Sequence, residues 1–143
     1  MTDKETVLIV DDDVDLVKSL RLILEGGGYA VRTAHDAETG LERVDADRPD
    51  LILLDVMMPD STEGFQFIWR LRQRGEEYFR KVPVIMLTSV VERTGLRFYP
   101  ASEGGSYPAG QPVPVQDFID KPVDPDRLIE RVRMALVAAW RKG

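Results

Sequence analysis

Short apolar runs alternate along the chain with segments whose apolar residues recur every three or four positions. The runs at 7–10, 51–54 and 84–87 have the length of buried strands, and the segments that separate them include several with the period of amphipathic helices. Runs that are apolar throughout are typical of strands covered by helices on both faces of a parallel sheet. The alternation therefore predicts an α/β fold of repeated strand–helix units.

Five strands and four helices are predicted from this pattern. The strands are expected at 7–10, 29–33, 50–54, 84–87 and near 118–119. The apolar faces of the first, second and last helices run from Leu16 to Leu24, from Ala37 to Val44 and from Leu128 to Trp140, and that of the third consists of Phe65, Ile68, Trp69 and Leu71. Glycines 26–28 are expected to end the first helix, and residues 57–64 to form a loop. Asp13, Asp36 and Asp124 have the residue type that caps helix N-termini.

The segment 89–116 departs from the pattern. Between Pro100 and Pro114, four prolines and three glycines occupy 15 positions. Proline and glycine in such numbers are incompatible with a helix, so only 90–99 is left for a helical turn or two. We predict a long loop here, and ordered loops of this length are often functional.

Composition limits the classes of function. The 143 residues fit one domain, 1–143, and the net charge of −6 argues against direct nucleic-acid binding or an anionic membrane surface. The absence of cysteine excludes thiolate sites, and a single histidine, His35, excludes multi-histidine metal sites; we expect it to be an ordinary surface residue. Without a signal peptide or a run long enough to span a membrane, the chain is expected to be cytoplasmic.

The residues with chemical potential fall where predicted strands end. Asp11–Asp13 follow the first strand, Asp55 the third, Thr88 the fourth and Lys121 the fifth. Ligands of open parallel sheets bind beyond these carboxyl ends. Carboxylates crowded there would repel one another unless a divalent cation such as Mg²⁺ joined them. Acids, a metal, a lysine and a hydroxyl are the groups that phosphoryl transfer needs, and one carboxylate could serve as the nucleophile.

Four motifs extend this interpretation. VLIVDDD (7–13), LILLDVMMPD (51–60), VIMLTS (84–89) and FIDKP (118–122) stand in this order at the strand ends, and together they resemble the receiver domain of bacterial two-component response regulators. The resemblance implies a flavodoxin-like, doubly wound sheet of five parallel strands in the order 2-1-3-4-5. The family's fourth helix is expected to be lost or remodelled within 89–116, and with it the face that members often use for output or dimerisation.

The resemblance also implies a phosphoacceptor and a metal site. Asp55 matches the residue that takes a phosphoryl group from the phosphohistidine of a sensor histidine kinase or a histidine phosphotransfer protein. Asp12 matches the main acidic Mg²⁺ ligand, and Asp11 its neighbour, which acts through a metal-bound water. The main-chain carbonyl of Met57 would be a further ligand.

A switch is implied by three further positions. Thr88 matches the hydroxyl that moves toward the phosphoryl group, and Lys121 the lysine that pairs first with the acids and then with that group. Phe118 matches the aromatic switch residue, although plain core packing explains it equally well. Pro122 would follow a cis peptide bond. The signal would pass to a downstream protein that the sequence does not identify.

Two other classes of protein remain as alternatives. A pseudo-receiver would bind partners without accepting phosphate. A phosphatase of the haloacid-dehalogenase type would use a DxD pattern, which Asp11–Asp13 or Asp13–Asp15 imitates, but it does not call for the motif around Asp55. A calcium loop starting at Asp11 is rejected, because Leu16 and Leu22 stand where that loop needs Gly and Glu.

Overall fold

The apolar runs form the strands of one parallel sheet. The structure is a computed structural model, and it describes residues 4–55, 63–88 and 115–140, with side chains from residue 66 onward in the helix that begins at Glu63. The strands are β1 (Thr6–Val10), β2 (Ala30–Ala34), β3 (Leu51–Asp55), β4 (Val84–Thr88) and β5 (Asp117–Asp120). They are parallel and lie in the order β2-β1-β3-β4-β5, which confirms the predicted doubly wound fold.

Helices cover both faces of this sheet. Within the described residues they are α1 (Val14–Gly26), α2 (Ala37–Asp47), α3 (Glu63–Arg72), α4 (Glu77–Lys81) and α5 (Pro125–Trp140). Alternate side chains of β1, β3 and β4 point to opposite faces. One set packs with α2, α3 and Phe79 of α4, and the other packs with α1 and α5. The central strands are therefore buried on both sides, as their continuous apolar runs predicted.

The predicted helix caps are present. Oδ1 of Asp13 accepts a hydrogen bond from the Leu16 amide at 3.1 Å, and Oδ1 of Asp36 accepts one from the Thr39 amide at 2.7 Å. Oδ2 of Asp124 accepts one from the Arg127 amide at 2.9 Å. After α1 the chain turns through Gly28, whose φ of 98° lies in the region that favours glycine. Local side-chain chemistry thus fixes where three of the helices begin.

The structure differs from the sequence prediction around α3. The helix begins at Glu63, inside the segment predicted to be a loop. Phe67 is fully buried, whereas Trp69, which the predicted apolar face includes, is 39% exposed. The side chain of Phe65 lies outside the description.

Other differences are small. Strands β2 and β3 each begin one residue later than predicted, and α4 was not predicted. A five-residue helix contains too few turns to show a period. The predicted loop at 89–116 and the expected loss of the family's fourth helix lie outside the described residues, except for Val115 and Gln116. Among the described helices, none is long and apolar enough to cross a membrane.

Candidate functional site

The carboxyl ends of β1, β3, β4 and β5 bring together the residues that the sequence singled out. Val10 is paired with Leu54 in the sheet, so Asp11 and Asp55 emerge side by side at the next position. Thr88 is opposite Asp120, the residue before Lys121. Nζ of Lys121 lies 3.0 Å from Oδ1 of Asp55 and donates a hydrogen bond to it. Parallel strands in register are therefore sufficient to assemble the site.

Asp11, Asp12 and Asp55 form a group of carboxylates. One oxygen from each lies within 4.8 Å of the other two, and Asp11 and Asp55 are buried while Asp12 is exposed. Negative charges at this separation repel one another, most strongly between the buried Asp11 and Asp55. The lysine at Asp55 supplies one compensating charge. The arrangement has the oxygen ligands and the charge that a divalent cation requires.

Asp11 is held by several hydrogen bonds. Its amide donates to the Ala34 carbonyl at 3.0 Å, and its Oδ1 accepts from the Asp13 amide at 2.9 Å. Its Oδ2 is buried without a hydrogen-bond partner among the described residues. A buried carboxylate oxygen left in this way is costly, and a bound cation would satisfy it. The residues present therefore fit a divalent metal.

Burial dominates the electrostatics of Asp11. It raises the pKa of this carboxyl from 3.8 to about 7. The Asp13 amide and the charge of Lys121 oppose the rise, and the charge of Asp55 adds to it. Removing a carboxylate from water penalises its ionised form, and a neighbouring anion does the same. Asp11 is thus a group whose charge the metal-free fold holds at a cost.

The remaining predicted residues lie at or near the same edge. Thr88 is fully buried at the end of β4, and its main-chain carbonyl accepts a hydrogen bond from the Lys121 amide at 2.7 Å. Phe118 is partly buried and packs against the core on the α2–α3 face. The Lys121–Pro122 peptide bond is cis, as the resemblance implied. Met57 lies outside the described residues, so its carbonyl stays a prediction.

Sequence reasoning missed one contact of the site. His35 is exposed, as predicted, but its Nδ1 lies 3.1 Å from the main-chain carbonyl oxygen of Asp11. The sequence could have predicted the position of His35 but not its contact. His35 directly follows β2, and β2 is the neighbour of β1, so its position at the same edge of the sheet follows from the strand order. The orientation of the ring does not.

Comparisons with known proteins agree with this geometry. The sequence profile of the response regulator receiver domain matches residues 7–98. Response regulator MprA of Mycobacterium ulcerans (strain Agy99) is 35% identical over 133 residues, a match covering 91% of this chain and 49% of MprA. The chain spans about half the length of the curated relatives it matches.

Solved structures give the same result. The chemotaxis response regulator CheY4 of Vibrio cholerae is 25% identical with a TM-score of 0.74, and the match covers 93% of this chain and 99% of CheY4. A CheY-like response regulator receiver domain protein of Methanospirillum hungatei JF-1 is 28% identical with a TM-score of 0.73, and the match covers 99% of this chain and 100% of that one. The chain therefore belongs to the response regulator receiver domain family of two-component signal transduction.

Proposed function

We propose that Asp55 accepts a phosphoryl group from the phosphohistidine of a sensor histidine kinase or a histidine phosphotransfer protein. The observation that carries this proposal is the position of Asp55. Asp55 is 3% exposed, its Oδ1 accepts a hydrogen bond from Nζ of Lys121 at 3.0 Å, and one of its carboxylate oxygens lies within 4.8 Å of oxygens of Asp11 and Asp12. Lys121 and a cation bound by the acids would stand where the phosphoryl oxygens carry negative charge during the transfer, which is where such groups lower the barrier.

Mg²⁺ is the proposed cofactor, with Asp11, Asp12 and Asp55 as its protein ligands and the Met57 carbonyl as a further one. Oxygen ligands from a small number of carboxylates, completed by water and phosphate, are typical of this ion. When bound, it would offset the negative charge that the phosphoryl oxygens bring to the site. The orphaned Oδ2 of Asp11 supports this assignment.

In the proposed transfer an oxygen of Asp55 attacks phosphorus, and the bond between phosphorus and the donor imidazole nitrogen breaks. The products are an acyl phosphate on Asp55 and a histidine that has regained its electron pair and takes up a proton. The acyl phosphate is then lost by hydrolysis: water attacks phosphorus, the bond between phosphorus and the Asp55 oxygen breaks, and inorganic phosphate and the carboxylate are released. The domain would thus catalyse its own phosphorylation and dephosphorylation, and we propose that it acts as a phosphoacceptor signalling domain and not as an enzyme.

Thr88 and Lys121 are proposed to transmit the modification. Phosphorylation adds about −1.5 to −2 charges and strong acceptor oxygens, which attract a hydroxyl and an ammonium group. Movement of the buried Thr88 would open space beside β4. Phe118 lies opposite Met86 on the neighbouring strand and is only partly buried, and it is proposed to respond to this movement. The surface near β4 and β5 would then change for a downstream partner protein.

We propose that 1–143 form one receiver domain, that its action is cytoplasmic, and that its output is binding to a protein rather than to nucleic acid or a membrane. The first curated relative is about twice as long as this chain.

Intact mass after incubation with Mg²⁺ and acetyl phosphate tests the proposal. We expect the native chain to gain one phosphoryl group, Asp55→Asn to gain none, and the control Asp45→Asn, at the opposite end of the sheet, to behave as native. Omission of Mg²⁺ should abolish the gain.

A gain that survives Asp55→Asn would overturn the assignment and reopen the dehalogenase-type alternative. No gain in the native chain, together with no binding of beryllofluoride, would establish a pseudo-receiver. Beryllofluoride binding without a mass gain would support the proposal and indicate a phosphoryl group that hydrolyses rapidly.

A further inference from the structure

The end of β2 holds the main chain of Asp11 from both sides. The Ala34 carbonyl accepts the Asp11 amide at 3.0 Å, and Nδ1 of His35 lies 3.1 Å from the Asp11 carbonyl oxygen. Ala34, the last residue of β2, and His35, the residue after it, thus contact the amide and the carbonyl of Asp11. A carbonyl oxygen accepts hydrogen bonds and cannot donate them, so Nδ1 of His35 must carry the proton in this contact.

These contacts complete the fixation of Asp11. Its Oδ1 is bound by the Asp13 amide, so three of its four polar atoms have partners within the chain. The fourth, Oδ2, is the buried oxygen without a partner among the described residues. The side chain therefore presents one oxygen that a cation could satisfy, and the direction of that oxygen depends on a main chain that His35 contacts.

His35 is not itself placed as a metal ligand. The group of possible ligands described at this edge consists of Asp11, Asp12 and Asp55. The Nδ1 of His35 is occupied by the Asp11 carbonyl. Outer partners that orient metal ligands typically change metal affinity by about 10- to 100-fold when removed. A partner that acts through the main chain of the ligand is expected to have a smaller effect.

We propose that His35 is a positioning residue for the metal site: by donating from Nδ1 to the Asp11 carbonyl, it holds Asp11 in the orientation that binds Mg²⁺. This inference rests on the proposed function, because it takes the acidic group to be the Mg²⁺ site. It assigns a role to the one histidine of the chain, which composition alone marked as a surface residue.

Nitrogen NMR of the imidazole tests the contact directly. His35 is the chain's one histidine, so the ¹⁵N signals of its ring need no assignment by mutation. In mildly alkaline buffer we expect the Nδ1–H tautomer to predominate, although the Nε2–H tautomer is the usual one for a free imidazole side chain. Predominance of the Nε2–H tautomer would overturn the proposal, because Nδ1 would then have no proton to donate.

Three substitutions test the consequence. The amide nitrogen of Asn can occupy the place of Nδ1, and that of Gln the place of Nε2. We expect His35→Gln and His35→Ala to weaken Mg²⁺ binding, measured by titration calorimetry, by roughly 3- to 10-fold, and His35→Asn to stay within about twofold of native. At saturating Mg²⁺, all three should accept phosphoryl groups from acetyl phosphate at near-native rates. Native Mg²⁺ affinity in all three variants would overturn the proposal, and so would the same loss of affinity in all three.

The outcomes separate this inference from the proposed function. If the native chain binds Mg²⁺ with the expected dependence on His35 but Asp55 takes no phosphoryl group, the positioning role stands and the phosphoacceptor proposal fails. If Asp55 is phosphorylated but Mg²⁺ affinity is indifferent to His35, the reverse holds. A native chain that binds no Mg²⁺ contradicts both the metal assignment and the role of His35. Because His35 is exposed, we expect its variants to fold, and thermal unfolding checks this.

Discussion

At the carboxyl end of the sheet three carboxylates crowd beside one lysine, whereas at the amino end Asp45 and Glu76 each face an arginine. Arg74 meets Asp45 at 2.8 Å, and Arg48 holds Glu76 through two hydrogen bonds of 2.8 and 3.0 Å. The acids at the carboxyl end are buried in part, and those at the amino end are exposed. The two ends thus place their charges in opposite environments.

Aromatic residues strengthen the contrast at the amino end. The guanidinium of Arg48 lies over the rings of Tyr78 and Phe79, 5.2 and 4.9 Å from their centres. Tyr78 donates to the Pro49 carbonyl at 2.6 Å and stacks on Trp140 with the ring centres 6.2 Å apart. The indole of Trp140 donates to the Asp50 carbonyl at 2.8 Å, joining the end of α5 to the start of β3.

The charged groups at the amino end stabilise the fold, whereas those at the carboxyl end are suited to binding a cation. At the amino end, the two acids named here are paired with arginines whether or not a ligand is bound. Nε of Arg74 is buried there without a hydrogen-bond partner among the described residues, but its guanidinium is already paired with Asp45. At the carboxyl end, Asp11 has a buried oxygen without a described partner and a pKa raised by burial, both of which cost free energy until a cation arrives. Substitutions at the two ends should therefore differ in their dependence on Mg²⁺ and in their effect on phosphorylation.

The largest effect is expected from Lys121→Met. The substitution leaves the buried Asp55 without its ammonium partner at 3.0 Å. We expect the free energy of unfolding of the metal-free protein to fall by about 3 kcal/mol, because removing one partner of a buried ion pair is strongly destabilising. Saturating Mg²⁺ should restore part of this loss, while phosphorylation by acetyl phosphate should slow at least tenfold. Urea unfolding with and without Mg²⁺, and the rate of mass gain, measure the two effects.

Lys81→Met is the matched control for that substitution. Lys81 meets Glu77 at the same distance of 3.0 Å, but both side chains are about half exposed or more. Exposed pairs contribute little to stability. We expect no dependence on Mg²⁺ and native phosphorylation. Equal destabilisation by the two substitutions would show that burial of Asp55 does not distinguish the ends of the sheet.

Asp11→Asn should stabilise the metal-free protein. Since the native state raises the pKa of Asp11 to about 7, it retains a proton that the unfolded chain has already lost. Stability of the metal-free protein should therefore fall as the pH rises from about 4 to about 7, and Asn should remove this dependence. The rise in the pKa limits the stabilisation by Asn to about 4 kcal/mol. Because the site can relax around the charge, we expect a gain of roughly 2 kcal/mol in the free energy of unfolding at pH 8. Urea unfolding at pH 5 and 8 measures it.

The same variant should lose the stabilisation that Mg²⁺ gives to the native chain. Asp15→Asn, in the exposed first turn of α1, is the control and should preserve both the pH dependence and the response to Mg²⁺. A destabilised Asp11→Asn protein at pH 8 would contradict the inference that the ionised carboxylate of Asp11 destabilises the metal-free fold.

The same contrast explains what the sequence could predict. The acids, Thr88 and Lys121 were predictable, because strand order and register alone bring strand ends to one edge. The ring of His35 was not, because its contact depends on a side-chain rotation that no pattern records. At the other end, the short helix α4 and the contacts of Tyr78 and Trp140 join segments far apart in sequence. Such contacts follow from packing, and apolar periodicity does not reveal them.

A smaller effect is expected from Tyr78→Phe. The change removes the hydroxyl that donates to the Pro49 carbonyl, while the ring can still stack on Trp140. Burial raises the pKa of Tyr78 well above its usual value, so the hydroxyl remains a donor across the accessible pH range. We expect a loss of about 1 kcal/mol in the free energy of unfolding, typical of one hydrogen bond. Mg²⁺ affinity should not change. A shift of more than twofold in that affinity would show that the two ends are coupled.

Glu76→Gln should have the smallest effect. Both members of the Arg48–Glu76 pair are largely exposed, at 44% and 63%, and Gln retains one oxygen that can accept from the guanidinium. Arg48 lowers the pKa of Glu76, so any contribution is present above the usual value of 4.5 and declines as the pH falls through the lowered one. Thermal unfolding should detect a difference smaller than that of Tyr78→Phe, and high salt should remove it, because exposed charges are screened.

Arg48 has a left-handed backbone with φ of 45°, a strained conformation for a residue other than glycine. A loss as large as that of Tyr78→Phe that persists in high salt would therefore mean that hydrogen bonding to Glu76, not charge, holds this turn in place.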